Sequence, residues 1–528
     1  MRVDDTKREW KRSKKAAEPS LYMLKTRSLL IGLGIALFVP GSAQVDSLAL
    51  RYSRFIDQGE LKTHLTMLAS DAFEGRDTGK KGQKMAAAYL RSQFQQYGIP
   101  PVPVSDTGMV MEGYYQPFEL IEESSGSLAI QGKGTTLTFL KELFYFNEVI
   151  TADRQLDELV YYADGSKLIG AKGLNGKVIL ITENGDGSVM TLLGTLRGFS
   201  SAANEAGAEV LLVATPRMPE LVKEMGHYVS GSRMRLADER PKEVVRSGVQ
   251  VILVDAGALD ASLGRNDLAA LAKRKPGRKV PVDLLLKHSP TSVRVRSENV
   301  LAYIEGTDKK DELVVITAHY DHIGIEGDEV YNGADDDGSG TVALLGIAQA
   351  FAKAKAEGNG PRRSVLVMPV SGEEKGLLGS KYYSEHPVFP LENTVANLNI
   401  DMIGRWDSAH AESGPYVYVI GSDRLSSELH AVNEEANSTY TKMGLDYTFN
   451  AANDPNRFYY RSDHYNFARK GVPAIFYFSG IHADYHKPTD TVEKIRFDLL
   501  EKRALLTYYT AWILANREER IVVDGKLE

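Results

Sequence analysis

Two textures of apolar and polar positions divide this chain. From residue 297 onward, short apolar runs rich in β-formers alternate with longer stretches of helical period. Residues 313–317, 364–370, 394–400, 416–420 and 474–478 read as strands, and residues 341–355 and 499–515 as helices. Residues 299–305 and 313–317 read as adjacent strands joined across the turn at 306–311. The run 364–370 is almost wholly apolar, as in a parallel sheet covered on both faces. Strands alternating with helices predict an α/β fold with a mostly parallel mixed sheet flanked by helices. Upstream the pattern differs. Residues 54–98 hold two helical patterns around the polar break SDAFEGRDTGKKG, whose segment 75–82 reads equally as a surface turn or as part of a site. Residues 114–170 alternate short apolar runs with turns and read as mainly β. Strands follow at 177–182, 209–214 and 249–254, with a short helix at 199–207 and a basic, proline-containing linker at 273–279.

The strand ends carry the chemistry. In open α/β sheets, ligands gather at the carboxyl ends of strands. The run 313–317 leads into His319, Asp321 and His322, then through a polar loop to Asp335, Asp336 and Asp337 and the turn Gly338-Ser339-Gly340. The run 364–370 leads to Glu373-Glu374, 394–400 to Asp401, and 474–478 to the loop holding His486. Singly, a carboxylate at a strand end is usually a helix cap or a solvated group. Jointly, imidazoles and carboxylates at one sheet edge suit one or two zinc ions with an open water position. Burying so many carboxylates together without a cation would be costly. His227 and His288, isolated in the upstream half, read as structural or surface residues.

Composition narrows the classes. With 528 residues, 43% of them hydrophobic, the chain can build more than one domain. A net charge of −7 and the lack of a basic stripe with interleaved aromatics argue against a nucleic-acid partner. There is no cysteine, so no disulfide forms and any metal must be held by His, Asp and Glu. Residues 23–43, MLKTRSLLIGLGIALFVPGSA, read as a secretory signal. Lys25 and Arg27 precede an apolar segment, 29–39, too short for a comfortable membrane span, and Gly41 and Ala43 suit cleavage before Gln44. An uncleaved anchor is the alternative. The expected mature protein is exported, periplasmic or secreted, with no stable membrane span.

Several blocks, in this order and spacing, resemble the co-catalytic two-zinc exopeptidases, the family of bacterial leucyl-type aminopeptidases, glutamate carboxypeptidase and, more distantly, glutaminyl cyclase. They are AHYDHIG (318–324), NGADDDGSG (332–340), SGEEKGLLGS (371–380), NIDMIGR (399–405), RSDHYNFARKGVPA (461–474) and DYHKPTDT (484–491), with FEGRDTGKKG upstream also fitting. The resemblance implies two zinc ions and, as substrates, peptides with a free N-terminus. It assigns His319 and Asp401 to one ion, His486 and Glu374 to the other, and Asp336 to both as a bridge. Glu373 would be the general base, Asp321 a carboxylate that orients His319, and Tyr485 a contact to the substrate carbonyl oxygen. Asp463 is a candidate contact for the substrate amine, or else a loop carboxylate paired with Arg461.

Residues 131–290 resemble a protease-associated domain through GKVILI, SSAANEAGAEVLLVA and QVILVD. The expected organisation is an extension with signal peptide (1–43), an N-terminal part of the peptidase (44–130), the mainly-β protease-associated insert (131–290) and the zinc peptidase domain (291–528). The functional reading is a metallo-aminopeptidase. Its rivals are a carboxypeptidase-like hydrolase or glutaminyl cyclase on the same site, and a non-catalytic binding protein on the same fold. A glutamate-specific carboxypeptidase would need an arginine cluster in the insert, and none is present. A cyclase needs only one zinc, whereas a full two-zinc set is present, and a non-catalytic relative predicts lost ligands.

Overall fold

The computed structural model describes residues 45–102, 111–239, 248–263, 267–411 and 413–526. The signal-like segment 23–43 lies outside the described residues. Seven strands form the sheet that carries the candidate site: β1 (Ala302–Ile304), β2 (Lys309–His319), β3 (Arg363–Val370), β4 (Thr394–Ile400), β5 (Tyr416–Ile420), β6 (Gly444–Asp446) and β7 (Ala474–Phe478). Their order across the sheet is β1-β3-β2-β4-β7-β5-β6. The block β3-β2-β4-β7 is parallel, and the antiparallel pairings are β1 with β3 and β7 with β5. The sheet is thus mixed and mostly parallel.

One pairing differs from expectation. Residues 299–305 and 313–317 are not neighbours, because β3 lies between β1 and β2. Every residue of β3 is buried, so it takes a covered interior place, while the three-residue β1 closes the edge. The chain just before β1, Ser292–Val300, pairs instead with Tyr115–Glu123 in a separate three-stranded sheet completed by Arg233–Leu236.

Strand alternation explains how both faces are filled. Val314, Ile316, Ala318, Val365 and Val367 point to one side, where they share a core with helices α1 (Gly340–Ala356) and α3 (Phe497–Asn516). Phe351 and Trp512 stack there, with ring centroids 5.6 Å apart. Leu313, Val315, Leu366, Met368 and Val370 point to the other side, against Tyr383 of α2 (Leu378–Glu385) and Phe467. Each such buried side chain stabilises the fold by about 1.5–3 kcal/mol relative to an exposed one. Double coverage fixes the strand ends in space, and the candidate ligands follow those ends.

The upstream segment builds its own eight-stranded sheet, from Leu128–Gly132 to Arg278–His288. At its centre, Val178–Thr182, Val210–Thr215 and Gln250–Asp255 run parallel. Helices Val189–Glu205 and Met218–Met225 cover one face, and Ala256–Leu263 and Leu268–Ala272 the other. The segment is therefore richer in helix than a mainly-β insert, since all-apolar parallel strands need cover on both faces. The helix expected over 199–207 starts at Val189, capped by Ser188 Oγ on the Thr191 amide at 3.2 Å, and buries Val189, Leu192, Leu196 and Ala203. Among the described residues, no helix is long and apolar enough to cross a membrane.

Candidate metal centre

The three adjacent aspartates after β2 go three ways. Asp335 turns away, accepting from the Gly404 amide at 2.6 Å and facing His482 Nε2 at 3.2 Å. Asp337 accepts from the Gly340 amide at 2.8 Å, the start of α1, and from Met402 N at 3.0 Å. Asp336 alone points into the site. Its Oδ1 lies 3.3 Å from His319 Nε2, and its Oδ2 lies 3.0 Å from His486 Nε2. The two oxygens of one carboxylate thus face two different imidazoles.

Around this pivot the other strand ends converge. Asp401, at the end of β4, presents Oδ1 to His319 Nε2 at 3.6 Å while its Oδ2 accepts from Ser462 Oγ at 2.7 Å. Glu374, after β3, lies 3.4 Å from His486 Nε2 and 2.8 Å from His322 Nδ1. Two sets, His319–Asp336–Asp401 and His322–Asp336–Glu374, each bring three donor atoms within 4.8 Å of one another. Glu373 belongs to neither set, with its Oε2 4.0 Å from His319 Nε2. The residues expected from sequence, His319, Asp336, Glu373, Glu374, Asp401, Tyr485 and His486, are therefore gathered in one place. His322 joins them, although the sequence reading noted it without giving it a role. Its position in AHYDHIG, three residues after His319, was the available signal.

The donor set fits hard or borderline cations. It is made of oxygen and imidazole nitrogen only. Asp336 Oδ2, Glu374 Oε1 and both ring nitrogens of His322 are buried and make no well-aligned hydrogen bond, although Glu374 Oε1 lies 2.8 Å from His322 Nδ1 and Asp336 Oδ2 3.0 Å from His486 Nε2. Buried polar atoms are nearly always paired, so a cluster of poorly paired donors sharing one carboxylate marks a place for an ion.

Electrostatics agree. Burial alone would lower the pKa of His319, but Glu373, Asp336 and Asp401 hold it well above the usual imidazole range. Burial would raise Asp336, but His319 and His486 bring it well below the carboxylate range. Glu374 is lowered too, His322 and His486 outweighing burial and Asp336. Glu373 moves the opposite way: burial raises its pKa well above the usual value, with Asp401 and Glu374 adding and His319 opposing. Two neighbouring glutamates are thus pushed apart by their surroundings, an arrangement that separates a ligand from an acid–base group.

The support beneath the site comes largely from the polar break at 71–80, which is not a surface turn. Arg76 is fully buried and donates to the carbonyls of Tyr320, Leu68, Asn332 and Gly333. It holds both ends of the loop between β2 and the aspartates. Burial lowers its pKa, opposed by the charges of Asp321, Asp336, Asp337 and Asp490. Thr78 Oγ1 donates to Asp321 Oδ2 at 2.7 Å.

Two assignments change. The contact to His319 Nδ1 comes from the backbone carbonyl of Asp321 at 3.0 Å, whereas its carboxylate is 3.9 Å away and held by Thr78 and the Glu373 amide. A proton on Nδ1, donated to that carbonyl, leaves Nε2 free for a cation. Asp463 neither lines the cleft nor pairs with Arg461. It is fully buried, accepts from Ser380 Oγ, and burial pushes its pKa up to about 7.

The site opens into a cleft whose apolar wall is Met402, Phe458, Phe476, Phe478 and Ile481. Tyr485 and Arg461 complete the lining. Burial, with Asp336 and Glu374, raises the Tyr485 pKa, and Arg461 opposes them. Arg76, Met402 and His486 adopt left-handed backbone, with φ of 56°, 55° and 55°, strained for non-glycine residues and concentrated where the loops meet the site.

Residues 299–511 match the model of peptidase family M28. This part of the chain is similar to that family. Curated relatives match less than half of the chain. One is a probable zinc metalloprotease of Pyrenophora tritici-repentis, 29% identical over 262 residues, covering 42% of this chain and 52% of that protein. Another is an aminopeptidase of Bacillus subtilis, 26% identical over 220 residues, covering 40% of this chain and 43% of that protein. The chain spans about half the length of such relatives. Among solved structures, an aminopeptidase from an Aneurinibacillus strain shares the fold with a TM-score of 0.51 at 20% identity, covering 90% of this chain and 98% of that one.

Proposed function

We propose that this chain is a two-zinc metallo-aminopeptidase that removes N-terminal residues from peptides with a free amino terminus. The observation that carries the reading is the Asp336 carboxylate shared between two donor sets, with Glu373 beside them and in neither. His319, Asp336 and Asp401 would hold one ion. Asp336, Glu374 and His486 would hold the other, with His322 against Glu374. Zinc at these positions supplies Lewis acidity, which polarises a carbonyl and makes water a stronger acid.

The chain's own groups do the rest. Glu373 accepts the proton of the attacking water and passes it to the leaving amine. Its place beside both donor sets, and in neither, suits a carboxyl that carries a proton between those two events. Tyr485 stays protonated and donates to the oxygen on which negative charge develops. The wall of Met402, Phe458, Phe476, Phe478 and Ile481 takes an apolar N-terminal side chain. The acidic surroundings favour the substrate amine. Residues 131–290 would form the protease-associated domain and shape access to the cleft, and residues 23–43 would direct export.

The test compares leucyl peptides with their N-acetylated forms on purified protein. The reading predicts hydrolysis of the free amine only. Equal kcat/KM for both would leave an endopeptidase or carboxypeptidase on the same site.

A further inference from the structure

We propose that Arg461 recognises the C-terminal carboxylate of short peptides, making dipeptides better substrates than long chains or C-terminal amides. The inference rests on the aminopeptidase reading and adds the far end of the substrate to it. Arg461 lies in the cleft lining beside Glu373 and Tyr485. Its guanidinium sits over the Phe458 ring, 4.8 Å from the centroid, and its Nη2 donates to the Tyr485 hydroxyl at 3.4 Å.

The neighbouring guanidiniums are committed elsewhere. Arg405 is tied to Asp484 at 3.0 Å, Arg424 donates to the Asn450 carbonyl at 2.8 Å, and Arg503 is fixed on the carbonyls of Tyr416, Ile403 and Arg405. Among the described residues, Arg461 has no carboxylate within 4.0 Å. It is exposed, held in place by one ring face and one hydroxyl. A guanidinium carries five donors in a planar fork that matches a carboxylate in two parallel hydrogen bonds, so this one keeps donors to spare.

Spacing indicates which carboxylate. Tyr485 is the group proposed to meet the scissile carbonyl oxygen, and Arg461 touches its hydroxyl. In a dipeptide the terminal carboxylate follows the scissile carbonyl by one residue, ~3.5 Å of extended chain. In a longer peptide, or an amide, a neutral carbonyl occupies that place. The wall for the first side chain is apolar apart from Arg461, which rests on its Phe458, so an acidic first side chain is the competing partner and glutamyl anilide is the substrate that tests for it.

The experiment measures kcat/KM for leucyl-glycine, its C-terminal amide and glutamyl anilide, in the wild type, Arg461→Met and Arg461→Lys. The wild type is expected to favour the free acid over the amide by about tenfold or more, as for a charge-assisted pair. In Arg461→Met the acid-to-amide ratio falls to about one, and Arg461→Lys restores part of it. The wild-type ratio needs no variant, so a poorly folding substitution does not remove the test. A wild-type ratio near one, a ratio unchanged in Arg461→Met, or a preference for glutamyl anilide that Arg461→Met abolishes would each overturn the proposal. Hydrolysis of neither acid nor amide would overturn the aminopeptidase reading first, and this inference with it.

Discussion

The two large sheets of this protein are built alike and end differently. Both have buried, largely apolar parallel strands at the centre and helices on both faces. In the upstream sheet, the polar groups at the strand ends find partners within the protein. Glu183 meets Arg217 at 2.9 Å and Thr215 Oγ1 at 2.7 Å, and Asp255 accepts from the Ala258 amide at 2.9 Å. In the β1–β7 sheet, the strand ends bring together carboxylates and imidazoles, several of whose buried atoms make no well-aligned hydrogen bond. Architecture alone does not distinguish a functional sheet from a structural one. The distinction lies in which strand ends leave charge that only an added ion can satisfy.

The contrast can be broken or sharpened experimentally. The largest effect is expected from Glu373→Gln. The amide cannot accept a proton, so kcat should fall about 10²–10⁴-fold while metal content is unchanged. Near-normal turnover would remove Glu373 from its role. Next comes Arg76→Met, which removes the clamp beneath the loop but no donor to the ions. Metal affinity, read by competition with a chelator, should fall about 10–100-fold, as when partners behind metal ligands are lost. Unchanged affinity would show that the loop holds itself.

The matching change in the other sheet is Glu183→Gln. It leaves Arg217 buried without its charge partner and should lower unfolding stability by about 1–3 kcal/mol in urea titrations, with activity and metal content intact. Loss of activity would mean the two regions are coupled.

A smaller effect concerns His464, buried with its ring stacked on Phe476 at 5.0 Å. Burial pushes its pKa down to about 3, from 6.5. Between those values the unfolded chain binds a proton that the folded chain refuses. This contribution to stability is therefore complete above pH 6.5 and is lost as pH falls, by up to about 1.4 kcal/mol per unit. Replacing His464 with Phe should flatten the stability profile between pH 6.5 and 5 by about 1–2 kcal/mol. An unchanged slope would contradict the burial argument.

Much of this site was legible in the sequence because its residues follow strand ends, and strands announce themselves by apolar runs. His319, Glu373, Glu374 and Asp401 sit within four residues of such runs. What escaped depends on long-range packing. Arg76 lies far upstream in a stretch as polar as any surface turn, and only its contacts with Tyr320, Asn332 and Gly333 reveal its burial. The place of β3 between β1 and β2 follows from competition among strands for cover, which local pattern does not encode. The contact between His319 and Asp321 runs through a carbonyl that every residue possesses. Asp463 looked available because it stands in a block of the family pattern, yet it points inward to Ser380.

The central claim is that Asp336 is shared between two ions, and elemental analysis of purified protein tests it most directly. Wild-type protein should carry two zinc ions per chain, and Asp336→Ala should lose both together, because each donor set depends on that carboxylate. One ion per chain in the wild type, or an Asp336→Ala variant that keeps two, would contradict the account.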